Sequence, residues 1–214
     1  MLSLLKELLY FIKIFRVGGR QMLYQAQDYS DLLGMQGFSE NLLKNHFLLY
    51  KDYVKNANLI MEYRERLLAE GQAETVKFAG LGRRIGWEFD SMRLHELYFE
   101  NLGGRSGISL VSPLMEKLEE DFGSYEAWET DFKATASIRG VGWAMLCQDN
   151  SNGTLNNFWI DEDHVGHSIE RTPLVVLDAW EHSYMLDYGL NRRDYIENFL
   201  KNIDWDVVNR RVKG

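Results

Sequence analysis

The sequence predicts an α+β fold, with a long antiparallel helical hairpin followed by an α/β domain whose three-stranded antiparallel sheet is flanked by helices. Three observations predict it. Apolar residues recur at helical spacing from Ser39 to Asn101. A glycine-rich break, Gly103-Gly104-Arg105-Ser106-Gly107, interrupts them. Beyond Gly142 the period changes, and three short strand-like runs appear.

The first helix is expected from Ser39 to about Ala69, with Leu42, Leu43, His46, Leu49, Tyr50, Tyr53, Val54 and Ala57 at helical spacing. Ser39 followed by Glu40 is a plausible capped start, and Gly71 supplies a stop. The second is expected from about Glu74 to Asn101; Gly80, Gly82 and Gly86 lie inside it and predict a kink or a late start. Two shorter helices follow, Ser109 to Asp121 with Pro113 in its first turns, and Ser124 to Ser137. Gly142 to Gln148 and Thr154 to Asp161 read as strands joined at Asn152-Gly153, a hairpin-turn signal. Thr172 to Leu177 is the third strand; helix resumes at Trp180, breaks at Gly189 and ends in a last helix near Asp204. This divides the chain into an N-terminal extension of unknown role (1–21), a helical hairpin domain (22–104) and a C-terminal α+β domain (105–214).

The extension is apolar but interrupted. Met1 to Val17 reads MLSLLKELLYFIKIFRV, with Lys6, Glu7, Lys13 and Arg16 breaking a stretch that would need roughly 20 apolar residues to span a bilayer. It also lacks the small-residue cleavage site of a signal peptide. It fits an amphipathic helix on a membrane or partner, a helix packed on the body, or residues upstream of the true start, with Met22 an alternative start.

Composition excludes several functions. A net charge of -8 disfavours nucleic-acid binding, which needs clustered Lys and Arg to neutralise phosphates. A single cysteine, Cys147, excludes an intrachain disulfide and a Cys-rich metal site. It fits a reducing compartment, so the expected location is cytoplasmic. Gly80-x-Gly82-x-x-x-Gly86 has the wrong spacing for a dinucleotide loop and no preceding strand, and Asn152-Gly-Thr154 is more simply a turn than a glycosylation site.

The chemistry points elsewhere. There are five histidines: His46, His95, His164, His167 and His182. His46 shares a helix face with Tyr50 and Tyr53, and in an antiparallel hairpin it can meet His95. Either alone would usually be an ordinary histidine with a satisfied hydrogen bond. Asp178 changes that balance. It ends the apolar run Leu174-Val175-Val176-Leu177, where a carboxylate is costly unless paired or metal-bound, and His182 follows four residues later. Three imidazoles and one carboxylate suit a redox-active first-row metal with a position left for solvent. Spacing alone does not name the reaction.

The motifs do. DAWEHSYMLDY, from Asp178 to Tyr188, resembles the signature of the iron/manganese superoxide dismutase family. RLHELYFENLGG resembles the family's second-helix ligand motif, LLKNHFLLYKDYVKNAN its first-helix motif, Gly140 to Ala144 its entry into the sheet, and Asn202 to Trp205 its C-terminal region. The similarity runs in order from about Tyr24 to Arg210.

The resemblance implies a superoxide dismutase that uses one iron ion per subunit, with manganese the alternative, held by His46, His95, Asp178 and His182. The first-helix motif departs from the common pattern: His46 stands seven residues before Tyr53, not eight, so strict alignment puts Asn45 in the ligand place. A one-residue deletion that removes a π-bulge would keep His46 facing the site. Tyr50 stands where the family often has a second histidine, Tyr53 at the gateway tyrosine, and Met185 replaces a tyrosine that usually reaches that histidine across the dimer.

The glutamine that usually bonds the metal's solvent is missing. Ser91 occupies one of its two places; the other falls in Asp161-Glu162-Asp163-His164, where the resemblance favours His164, as in a subset that often uses iron. His167 receives no role. Glu181 resembles the residue that bridges to the partner's ligand histidine in a homodimer or tetramer. Trp143 and Trp180 would wall the site, and Arg192 would draw superoxide in. Two rivals remain: a metal-free structural protein on the same fold, and a non-haem iron oxygenase with two histidines and one carboxylate.

Overall fold

The computed structural model describes residues 24–104, 107–109 and 111–213; the extension expected at 1–21 lies outside them. Helices α1 (Glu40–Ala69) and α2 (Val76–Glu100) form the hairpin. Ser39 Oγ accepts from Leu42 N–H at 3.1 Å, and Thr75 Oγ1 from Phe78 N–H at 3.2 Å, so each helix begins at a side-chain cap. α1 is α-helical throughout, and Leu42, Leu43, His46, Tyr50, Val54 and Ala57 form its buried face. The expected kink in α2 is absent. Its glycines lie before Glu88, the first fully buried residue, and the helix runs unbroken through them, with Gly82 leaving room for the Arg64 side chain of α1.

Helices α3 (Pro113–Phe122) and α4 (Tyr125–Ala136) follow. α3 starts later than the expected Ser109: Ser112 Oγ accepts from Met115 N–H at 3.2 Å, and Pro113 stands in the first turn where its missing N–H costs nothing. The sheet comprises β1 (Gly142–Asp149), β2 (Leu155–Asp161) and β3 (Arg171–Asp178), antiparallel in the order β2-β1-β3. β1 is central, buried from Gly142 to Gln148. Its register pairs Trp143 with Ile160 on one side and Asp178 on the other. Gly142 is required there, because a Cβ would collide with the carbonyl of Ile160. Pro173 is tolerated because β3 is an edge strand, and the register shifts beside it, between Leu146 and Cys147.

After β3 the expected continuous helix is instead a 3₁₀ turn (Glu181–Ser183) and a single turn α5 (Met185–Tyr188), ended by Gly189. Helices α6 (Arg192–Lys201) and α7 (Trp205–Arg211) close the chain. One buried cluster joins the hairpin to the sheet, with Leu42, Tyr98, Phe99, Trp143, Val176 and Phe199 among its members. No described helix is long and apolar enough to cross a membrane.

Candidate metal centre

Three parts of the fold converge on Asp178. The residue is the last of β3, fully buried, and its Oδ1 accepts from Trp180 N–H at 2.8 Å. That bond leaves Oδ2 facing the histidines. His182 Nε2 lies 3.0 Å from Oδ2, His46 Nε2 3.1 Å and His95 Nε2 3.8 Å. One ligand atom from each of the four residues lies within 4.8 Å of the others. His46 and His95 are buried, whereas the His182 side chain is 27% exposed and marks the open side.

Two of the three inward-facing ring nitrogens lack hydrogen bonds. His46 Nε2 and His95 Nε2 are buried without a partner among the described residues, although both lie near Asp178. His95 Nδ1–H donates to the Ser91 carbonyl at 2.7 Å, which leaves its Nε2 lone pair free. Buried polar atoms left unpaired cost about 1–3 kcal/mol each. Their convergence fits a cation, since a coordinated ion would take up those lone pairs.

Electrostatics agree. Burial would raise the Asp178 carboxyl, but the charge and hydrogen bond of His182, with His46 close by, hold it well below the carboxylate range. Burial depresses His95 to about 3, with the neighbouring His46 adding to the effect, and burial also lowers His46. His182 moves the other way: burial opposes its charge, yet Asp178 outweighs that and raises it. Metal ligation needs deprotonated carboxylate and neutral imidazole: the neighbouring histidines favour the first at Asp178, and burial favours the second at His46 and His95.

Asn45 does not reach the group. It is exposed, its amide bonded back to the Asn41 carbonyl at 2.7 Å, and the regular turns of α1 bring His46 inward instead. Tyr53 sits half-buried with its ring 5.2 Å from His95. Tyr50 is fully buried, but its hydroxyl donates to Glu96 Oε1 at 2.9 Å and accepts from Gln27 N–H at 3.0 Å. Trp143 packs 5.0 Å from His95 and Trp180 stacks 5.9 Å from His182. Arg192 lies over Trp159 and donates to the carbonyls of Ile138 and Gly140. Glu181 and Met185 are exposed.

His164 requires a correction. It is exposed, its ring 4.9 Å from Trp87, and does not take the buried place expected of a partner to the metal's solvent. The chain turns tightly there: Asp161 and Val165 exchange backbone hydrogen bonds, and Glu162 adopts φ 53°. The turn sends His164 out and its neighbour Asp163 in. Trp143 Nε1–H donates to Asp163 Oδ1 at 2.9 Å, deep in the core. Sequence reasoning missed Asp163, whose acidic surroundings read as a solvated loop; the one signal was that a buried indole N–H needs an acceptor. It also missed Tyr195, whose hydroxyl donates to the Asp178 carbonyl at 2.6 Å.

A sequence profile described as "Iron/manganese superoxide dismutases, C-terminal domain" matches residues 111–211. The chain is 36% identical over 171 residues to "Superoxide dismutase [Mn] 2" of Haloferax volcanii, covering 78% of this chain and 83% of that protein. It is 37% identical over 175 residues to "Superoxide dismutase [Fe]" of Cupriavidus metallidurans, covering 80% and 86%. The protein of that name from Aquifex aeolicus is 35% identical over 199 residues, covering 88% and 91%. The chain belongs to the iron/manganese superoxide dismutase family. As in the fold expected of that family, a helical hairpin and a three-stranded sheet enclose the four-residue cluster.

Proposed function

We propose that this member of the family is a superoxide dismutase whose single iron or manganese ion is held by His46, His95, Asp178 and His182. One observation carries the reading: four ligand atoms converge within 4.8 Å while the inward nitrogens of His46 and His95 have no hydrogen bond. A metal-free scaffold has no use for such unpaired buried atoms. When bound, the ion would alternate between trivalent and divalent states, so that two superoxide ions and two protons become dioxygen and hydrogen peroxide.

The chain's residues do the rest. Asp178 offsets the ion's charge, and Trp180 N–H and the Tyr195 bond to the Asp178 carbonyl fix its orientation. Ser91 locks the His95 tautomer through its carbonyl. Tyr53, its hydroxyl held protonated by burial, stands beside His95 as a group that can pass a proton inward. Arg192 adds positive charge that favours approach of an anion to an otherwise acidic protein. The preference for iron rested on His164, and its surface position removes that ground. Exposed Glu181, Met185 and Leu186 fit a homodimer in which Glu181 meets the partner's ligand histidine. A buried, unreactive Cys147 suits a cytoplasmic protein.

The test is metal analysis of the purified protein paired with a superoxide-scavenging assay. One iron or manganese per chain with scavenging is the expected outcome; a bound ion without scavenging sinks the dismutase assignment.

A further inference from the structure

The chain enters the described fold at a clasp. Tyr24 N–H donates to Asn58 Oδ1 at 2.8 Å, and the Tyr24 carbonyl accepts from Asn58 Nδ2 at 2.7 Å. Its ring meets Phe89 edge-on at 5.7 Å and lies under the Arg93 guanidinium. Asn58 stands on α1, Phe89 and Arg93 on α2, so the preceding residues depart from the flank of the hairpin. Those residues differ in kind from the body. Residues 1–23 hold Lys6, Lys13, Arg16 and Arg20 against Glu7 alone, a net +3; with -8 for the whole chain, residues 24–214 carry -11. At about 3.6 residues per turn, Leu4, Leu5, Leu8, Phe11, Ile12 and Phe15 fall within an arc of about 120° that holds no charged residue. Lys6, Lys13 and Arg16 lie outside it. Gly18-Gly19 breaks the pattern before the clasp, and the stretch from Gly18 to Leu23 reaches at most about 20 Å.

The exposed large apolar residues of the described hairpin, Leu48, Leu59, Tyr63, Leu68 and Val76, form no stripe to receive that arc. Asp52 and Lys55 lie between Leu48 and Leu59 on one side of α1, and Leu68 points the opposite way. The Tyr63 ring is faced by Arg66 and Lys77. A lipid surface meets both halves of the pattern, because the acyl boundary takes Leu, Ile and Phe while anionic headgroups attract Lys and Arg.

We propose that Met1–Val17 is an interfacial anchor that lies as a helix in the plane of an anionic bilayer, with Leu4, Leu8, Phe11 and Phe15 in the acyl boundary and Lys6, Lys13 and Arg16 among the headgroup phosphates. The basic residues offset the repulsion that an anionic surface exerts on an acidic body. The short tether from Gly18 to the Tyr24 clasp then holds the folded body beside the membrane. The charges within the segment exclude spanning, so the anchor lies on the surface.

Sedimentation of the full-length protein with lipid vesicles tests this, using phosphatidylcholine alone and phosphatidylcholine mixed equally with phosphatidylglycerol. Half-binding to the anionic vesicles should need roughly tenfold less lipid than to the neutral ones, since each basic side chain near the surface favours binding about fivefold. Added salt should erase most of that difference. Leu8→Asp with Phe11→Asp should abolish binding to either vesicle, together with the gain in helical circular dichroism that accompanies it. Lys6→Gln with Lys13→Gln should weaken anionic binding roughly tenfold and leave neutral binding unchanged. Val111→Asp, at an exposed apolar position of the described fold, should change nothing. Full-length protein that stays in solution with anionic vesicles overturns the proposal, as does undiminished binding by the Leu8→Asp, Phe11→Asp protein. Without lipid, a lower Tm in that variant means that the segment packs on its own body, and an altered oligomeric state means that it joins two copies; either overturns the anchor. These readouts do not involve the metal ion, so failure of the metal-centre reading leaves them standing.

Discussion

His46 Nε2 lies 3.1 Å from Asp178 Oδ2, joining the first long helix to the last residue of the sheet inside the core. Neither side chain is exposed, and replacing His46 removes one of the four converging ligand atoms. His46→Gln should therefore abolish tight ion uptake, and Asn45→Ala should not. Wild-type protein with iron or manganese at about a thousandfold excess over its dissociation constant should gain about 4 kcal/mol of stability, which His46→Gln forfeits. Calorimetric Tm with and without the ion reads this directly. Equal ion-dependent gains in the two variants would falsify the placement of His46.

Acid should destabilise the metal-free protein through its buried histidines. Burial depresses His95 to about 3, below its unfolded value of roughly 6.5. The unfolded chain therefore binds a proton that the folded chain refuses, so stability is full above roughly pH 6.5 and falls as the pH drops toward 3. One such histidine contributes a slope of about 1.4 kcal/mol per pH unit, and His46, shifted the same way, adds to it. His182 is raised, so its own contribution runs oppositely and is lost as the pH rises. Urea unfolding of the chelator-treated protein between pH 4 and 8 tests the sum. A flat profile across that range contradicts the buried neutral imidazoles.

Tyr50 predicts a stability effect instead of a chemical one. Its hydroxyl donates to Glu96, itself paired with Arg93, and accepts from Gln27 N–H, tying the segment before α1 to α2. Tyr50→Phe keeps the ring but strips both bonds, with an expected cost of about 1–3 kcal/mol. Ion uptake should persist, because the Tyr50 ring is 6.4 Å from His95 and its polar end is turned to Glu96. A lost metal site with unchanged stability would instead make Tyr50 part of the centre.

The hairpin, the sheet and the convergence on Asp178 are readable in the sequence because periodicity and local spacing encode them. An aspartate closing an apolar strand and a histidine four residues on are placed by one short segment. Asp163 is not readable in that way: its inward orientation comes from a tight turn and from an indole 20 residues away that needs an acceptor. Periodicity equally hides the fate of the glycines in α2, where the helix runs unbroken and Gly82 leaves room for Arg64 of α1, which donates to the Phe78 carbonyl. The segment after Asp178 misleads for a related reason. Its apolar and aromatic residues suggest a helix, yet Ser183 donates to the carbonyls of Asp178 and Trp180 and folds it into a tight turn that directs His182 back to Asp178.

Asn101 makes the last prediction. It is fully buried at the end of α2, and its side chain behaves as an extra strand segment against the edge of β3. Val176 N–H donates to its Oδ1 at 2.8 Å, while its Nδ2 donates to the Tyr98 carbonyl at 2.6 Å and the Val176 carbonyl at 3.3 Å. No described strand lies beyond β3, so without the amide two backbone groups of Val176 would be buried and unpaired. Asn101→Ala should cost roughly 2–4 kcal/mol, from two unpaired groups and a small cavity. Urea unfolding should show a lower midpoint at unchanged slope, since the folded surface is the same. Val176 stands two residues before Asp178, so the variant should also bind its ion more weakly than a surface change of equal stability, such as one at the Ser39 cap. Asn101→Asp keeps the acceptor for Val176 N–H but loses the donor and buries a charge, and should fall below Asn101→Ala in stability. Equal ion affinity in Asn101→Ala and a stability-matched Ser39→Ala protein would confine Asn101 to holding the fold.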